Sequence, residues 1–167
     1  MSKDSARIEL NGAVDEAQAA IGLARAYLLG SRPGTEASDV LLGVERDLWV
    51  LMAEVATAPR NRGKLVAGAS LVTAAMVDSL EQRVHGLEAS GAVPSEFVLP
   101  GENLPSAALD VARTVVRRAE RLAVRAKVAE DSLVVPYLNR LSDLLFLLAR
   151  RLTLATGGGE EPWIPRV

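Results

Sequence analysis

The sequence predicts an all-α fold, a five-helix up-and-down bundle, on three observations. Apolar residues recur mostly at three- and four-residue spacing, the rhythm of a helix that buries one face. No run alternates strictly between apolar and polar residues, as a half-buried strand would. Clusters of glycine and proline then divide the 167 residues into segments of helical length. The first segment runs from about Val14 to Leu29, with Val14, Ala17, Ile21, Ala24 and Leu28 on one face. Asn11 or Gly12 is placed to cap it, and Gly30, Ser31, Arg32, Pro33 and Gly34 stop it. The second spans about Ser38 to Ala56, where Val40, Val44, Leu48, Leu51 and Val55 repeat until Pro59 ends the pattern. A polar, glycine-bearing loop follows. The third starts near Thr73, an N-cap residue type, and closes around Ser90 and Gly91. Pro100, Gly101 and Pro105 precede the fourth, Ser106 to about Val128, and the fifth fills Ser132 to Ala155. Gly157, Gly158 and Gly159 terminate it, leaving Glu160–Val167 as a tail able to dock through Trp163. Long helices joined by short or medium loops pack most economically as a bundle. The whole chain, 1–167, reads as one domain with terminal segments at 1–10 and 156–167.

Composition narrows the chemistry. Cysteine is absent, which removes disulfides, thiolate nucleophiles and cysteine metal sites, and His85 is the sole histidine. A tight zinc or iron site is therefore not expected, because carboxylates alone rarely hold those metals. The net charge of −2 argues against a general nucleic-acid or anionic-membrane surface, so any anion site must be focal. No run of about 18 uncharged apolar residues suggests a spanning helix. Lys3, Asp4, Arg7 and Glu9 stand where a secretory signal needs an apolar run, so the expected location is cytoplasmic.

Four stretches carry potential chemistry. Arg113, Arg117 and Arg121 fall at i, i+4 and i+8 on one helix face, with Glu120 beside them. Like charges so spaced repel unless an anion lies between them, and the forked donors of arginine match a polyphosphate. A solvated basic face, or arginines paired with acids of another helix, fits the spacing equally well. In Tyr137–Asp143, Asn139 and Asp143 sit one turn apart among leucines, and a buried hydrogen-bond network is the simplest account of them. Phe97, in the apolar turn Glu96–Gly101, either plugs the bundle end or walls a ligand pocket. Asp15 and Glu16, near the opening of the first helix, fit simple capping and its dipole; Asp15 could alternatively reach an arginine of another subunit.

Taken in order, these stretches resemble the signature blocks of the propanediol-utilisation (PduO) type of ATP:cob(I)alamin adenosyltransferases. The resemblance runs from about Arg7 to Trp163 and is carried by FVLPG, ARTVVRRAER and YLNRLSDLLFLLAR together. It implies a five-helix bundle assembled as a homotrimer, with cobalamin and ATP bound between adjacent subunits. It also implies transfer of the 5′-deoxyadenosyl group of ATP to Co(I), release of triphosphate, Mg2+ bridging the phosphates, and an adenosylcobalamin-dependent acceptor enzyme. On the same resemblance Arg113, Arg117 and Arg121 surround the ATP phosphates, Glu120 completes that block, and Arg117 is matched to a salt bridge with Asp15 of another subunit. Phe97 matches the residue crowding the lower face of the corrinoid, and Asn139 and Asp143 match polar positions at the active-site interface. Phe97, Arg117 and Asp143 are thus the expected catalytic residues. Cobalt is the nucleophile in such a reaction, so the protein need only orient the reactants and stabilise charge.

The chain departs from that pattern at a few positions. A loop rich in glycine, threonine, lysine and aspartate is expected ahead of the first helix, and Met1–Arg7 contains no glycine. Arg60, Arg62, Gly63 and Lys64 form a basic loop that either compensates or is simply solvated. Glu102 takes the place of a glycine, Asp110 that of a common histidine, and Ala17-Gln18 that of leucine-asparagine. These departures leave a second reading, a corrinoid or tetrapyrrole binder that no longer uses ATP.

Overall fold

The computed structural model describes residues 5–29, 32–95, 98–155 and 157. Among them are five α-helices, α1 (Ala6–Leu28), α2 (Arg32–Ala56), α3 (Ala74–Ala89), α4 (Leu104–Arg125) and α5 (Val134–Ala155), and a short 3₁₀ helix, Pro59–Lys64. Phe97 and Trp163 lie outside the described residues.

Helix α1 starts about two turns before the expected boundary. Leu10 is fully buried and extends the stripe through Ala13, Val14, Ala17, Ile21, Ala24 and Leu28. A Cβ placed on Gly12 would meet nothing within 4 Å, so this glycine lies on an open face. An exposed helical glycine costs about 1 kcal/mol relative to alanine, too little to halt the helix. The cap is Ser5, whose hydroxyl accepts from the Ile8 amide at 3.4 Å. Asn11 and Gly12 are therefore not caps, and Asp15 and Glu16 lie beyond the first turn, where the dipole has faded. Helix α2 likewise begins at Arg32 rather than Ser38, because Pro33 falls in the first turn, where a missing N–H is no loss.

The Arg7 guanidinium closes the C-terminal end of α2. Its Nε and a terminal nitrogen donate to the Val55 carbonyl at 3.1 and 2.6 Å, and the same nitrogen donates to the Thr57 carbonyl. The start of α1 is thus tied to the end of α2, which makes the pair antiparallel. Below them the loop is organised by Glu54, a carboxylate only 4 % exposed. It accepts from Arg62 (2.9 Å), the Ser132 hydroxyl (2.6 Å) and the Val72 amide (2.8 Å), while Arg62 also pairs with Asp131 at 3.0 Å. Arg62 is committed inward, so the loop Arg60–Lys64 is not simply a solvated basic segment.

Helix α3 starts as expected, with the Thr73 hydroxyl accepting from the Met76 amide at 3.4 Å. Helix α4 begins two residues early because Asn103 is the cap, its Oδ1 accepting from the Ser106 amide at 2.9 Å. Gly101, at φ 124, makes the turn that delivers the chain to that cap. Lys127 adopts a left-handed φ of 49 and ends α4 short of Val128, and α5 starts at Val134 rather than Ser132.

Helix α1 packs between α2 and α4, α5 between α4 and α3, and α5 also touches α2. Four helices therefore close around one core, with α3 laid against α5. Aromatics are scarce, and small residues fill much of the core, among them Ala13, Ala17 and Ala24 of α1 and Ala112, Ala119 and Ala123 of α4. Leu138, Leu141, Leu144, Leu145 and Leu48 supply the bulk, each stabilising by about 1.5–3 kcal/mol when fully buried. Tyr137 is the largest fully buried side chain and donates to Asp47 Oδ2 at 2.9 Å, joining α5 to α2. Burial, then the adjacent carboxylate, pushes the Tyr137 phenol well above its ordinary 10.0. Burial also raises Asp47, although its bond from Tyr137 and the Arg83 charge oppose the shift.

Candidate adenosyl-transfer site on α4 and α5

Three contacts set the register between α4 and α5: Asp110 with Arg150, Arg113 with Phe146, and Glu120 with Asn139. Each step forward on α4 is matched by a step back on α5, so the helices run antiparallel, and Arg117 stands level with Ser142 and Asp143. The row from Arg113 to Arg121 is about 12 Å long at 1.5 Å per residue. It forms a surface because the opposite side of α4 carries Ala112, Val116, Ala119 and Ala123 into the core.

The three arginines are not equivalent. Arg117 and Arg121 are exposed, and among the described residues neither forms an ion pair; Arg121 donates to the Arg117 carbonyl at 3.1 Å. With Glu120, Val124 and Asn139 they line a depression of about 310 Å³. The Asn139 amide donates to Glu120 at 3.0 Å, which fixes both groups at its edge. Arg113 is held differently: its Nε donates to Asp110 Oδ1 at 3.4 Å, and its guanidinium carbon lies 5.9 Å from the Phe146 ring centre.

The expected buried network at Asn139 and Asp143 is not present. Both are on the open side of α5, and they turn to different partners: Asn139 to Glu120 on α4, and Asp143 to Arg140 at 3.1 Å. Arg140 also bridges to Glu81 of α3 at 3.3 Å, so Asp143 shares this guanidinium with an acid of another helix. Asp15 is exposed on α1 and does not meet Arg117 within the chain, whereas its neighbour Glu16 pairs with Arg118.

Sequence reasoning missed the pair of Asp110 with Arg150. Arg150 is 3 % exposed and Asp110 6 %, and Arg150 also stands 5.4 Å from the Phe146 ring centre. The signal was there to be read, since Asp110 and Arg150 each sit at a core-facing position inside an otherwise apolar run, where a charge requires a partner. Glu54, inside Leu51–Val55, carried the same signal.

Comparison with known proteins identifies the family of the chain. Residues 1–152 match the family described as cobalamin adenosyltransferase. The chain belongs to the cobalamin adenosyltransferase family. It is 41% identical to the corrinoid adenosyltransferase of Mycobacterium tuberculosis over 173 residues, covering 99% of this chain and 83% of that protein. It is 37% identical to the cobalamin adenosyltransferase of Cupriavidus metallidurans over 165 residues, covering 98% and 83%. Its fold matches that of a PduO-type ATP:corrinoid adenosyltransferase variant from Lactobacillus reuteri, complexed with cobalamin and ATP. There the TM-score is 0.84 and the identity 25%, over 99% of this chain and 90% of the other. The five-helix bundle expected of a cobalamin adenosyltransferase is the fold observed.

Proposed function

We propose that the chain transfers the 5′-deoxyadenosyl group of ATP to the cobalt of cob(I)alamin, giving adenosylcobalamin and triphosphate. The observation that carries this reading is the pair Arg117 and Arg121, exposed, without ion pairs among the described residues, and flanked by the Glu120–Asn139 bond. In the reaction the Co–C5′ bond forms with the electron pair of Co(I), and the C5′–O bond breaks with its pair leaving on the triphosphate. The chain therefore has to hold ATP and stabilise the charge that grows on the departing triphosphate. Arginines do both, because their fixed forks bind phosphate oxygens in pairs and carry charge that cannot be titrated away near neutral pH. Asn139 and Glu120 supply a donor and an acceptor suited to the hydroxyls of a nucleoside. No side-chain nucleophile is required.

On this reading Arg113, Arg117 and Arg121 contact the phosphates, and Arg117 and Asp143 act closest to the reacting centre. Phe97, ahead of α4, walls the lower face of the corrinoid, where it disfavours an axial ligand and eases reduction to Co(I). Among the described residues no group of three or more histidines or acids gathers. Mg2+ would therefore be held chiefly by phosphate oxygens and water, with Glu120 as the adjacent carboxylate. Residues 1–167 act as one domain. The active form is a homotrimer in which Asp15 pairs with Arg117 of the neighbouring subunit. Supporting it are Leu23 and Tyr27 on α1 and Val111 on α4, which are 53%, 46% and 57% exposed on helices that pack together. A cytoplasmic setting suits the strongly reducing Co(I) state, and an adenosylcobalamin-dependent enzyme would take the product.

The test is anaerobic incubation with chemically reduced cob(I)alamin and MgATP, followed in the visible spectrum. ATP-dependent formation of adenosylcobalamin, lost in Arg117→Ala, is the expected result. A spectral change that needs no ATP and yields no alkylcobalamin would overturn it.

A further inference from the structure

We infer that Asp110, Arg150 and Phe146 act as a bracket that presets Arg113 for the polyphosphate, so that they determine the affinity for ATP without touching it. The inference rests on the adenosyl-transfer reading and concerns positioning residues rather than catalytic ones. Arg113 has its Nε engaged by Asp110 Oδ1 at 3.4 Å, and its guanidinium carbon stands 5.9 Å from the Phe146 ring centre. Among the described residues its two terminal nitrogens make no hydrogen bond. An arginine anchored through Nε and an aromatic face keeps the outer fork of its donors for a ligand, which is the geometry that grips phosphate in pairs. The side chain is 29% exposed, open enough to reach a ligand.

Asp110 alone would defeat this purpose, because a carboxylate within reach of the phosphate row repels the ligand it helps to receive. Arg150 removes that conflict. Its guanidinium pairs with Asp110 Oδ2 from the core side, and its carbon is 5.4 Å from the same Phe146 ring. The Asp110 carboxylate is thereby shared between Arg113 and a buried cation, which offsets its charge toward a ligand. Ordering Arg113 before ATP arrives removes the entropy loss of ordering it on binding, an effect of roughly three- to tenfold for one long side chain.

The test is steady-state adenosyl transfer with ATP varied at saturating cob(I)alamin, using Phe146→Leu and D110N, each alone and combined with Arg113→Gln. Phe146→Leu removes the ring and takes away no buried charge, so it keeps the inference testable should D110N, which weakens a buried ion pair, fail to fold. Each change is expected to raise KM for ATP roughly fivefold, to leave KM for cob(I)alamin unaltered, and to add nothing once Arg113 is glutamine. A KM for ATP that stays at the wild-type value in Phe146→Leu, or a rise that persists in the Arg113→Gln background, would overturn the bracket. Absence of ATP-dependent product from the unaltered chain is a different failure: it removes the adenosyl-transfer reading, and the bracket with it.

Discussion

Two charged clusters in this bundle are built in opposite ways. At the end where α2 stops, Glu54 is buried and every described group around it closes inward: Arg62, the Ser132 hydroxyl and the Val72 amide all donate to it. On α4, Arg117 and Arg121 face solvent without carboxylate partners among the described residues, beside the Glu120–Asn139 bond. The first arrangement spends its charge on joining the 3₁₀ loop to the approach to α5. The second leaves its charge for something outside the chain. Composition does not separate the two; the state of satisfaction of the donors does.

The contrast breaks most decisively at Glu54. Glu54→Ala leaves Arg62 and Ser132 without their buried acceptor and is expected to lower unfolding free energy by about 3–5 kcal/mol, measured by urea denaturation. A loss below about 1 kcal/mol would mean that the cluster is not a structural hub. Arg121→Ala is the mirror experiment. It should raise KM for ATP by roughly ten- to a hundredfold while the unfolding free energy changes no more than an ordinary surface substitution allows, about 0.5 kcal/mol. A large stability loss there would place Arg121 with the structural charges instead.

Tyr137 sharpens the comparison with a neutral case. Tyr137→Phe removes the bond to Asp47 and should cost about 1–2 kcal/mol near neutral pH. Its pH behaviour follows from burial, which holds the phenol protonated in the folded protein above its ordinary 10.0. Above that pH the unfolded chain releases a proton that the folded one keeps, so stability falls as pH rises toward the elevated folded value. The phenylalanine variant should lose that alkaline slope in chemical denaturation at stepped pH. The smallest effect belongs to Glu16→Gln. Its pair with Arg118 is exposed on both sides, and the expected change is under about 1 kcal/mol, shrinking further in added salt.

The helices were readable because burial imposes a period on the residues that bear it. Leu138, Leu141, Leu145 and Leu152 announce the core face of α5, and Thr73 announces the start of α3. The boundaries at Ala6 and Arg32 were less legible, since Gly12 and Pro33 resemble breakers until their exposure and first-turn position are known. At the site, the arginine row showed in the spacing alone, but the division of labour within it did not. Arg113 differs from Arg117 only through Asp110 and Phe146, and those contacts depend on how α4 meets α5. Asn139 and Asp143 share a helix face in sequence, yet their partners lie on two different helices, α4 for Asn139 and α5 itself for Asp143.

Helix α4 writes two messages in one rhythm: alanines and Val116 inward, arginines outward, both at a spacing set by 3.6 residues per turn. Descendants of this chain can exchange one side chain for another along either message and remain bundles. They cannot drop or add a single residue between Arg113 and Arg121 without turning everything beyond it by about 100°. Substitution and deletion therefore meet opposite tolerances on this helix, and its length between those two arginines should be the most slowly drifting feature of the lineage.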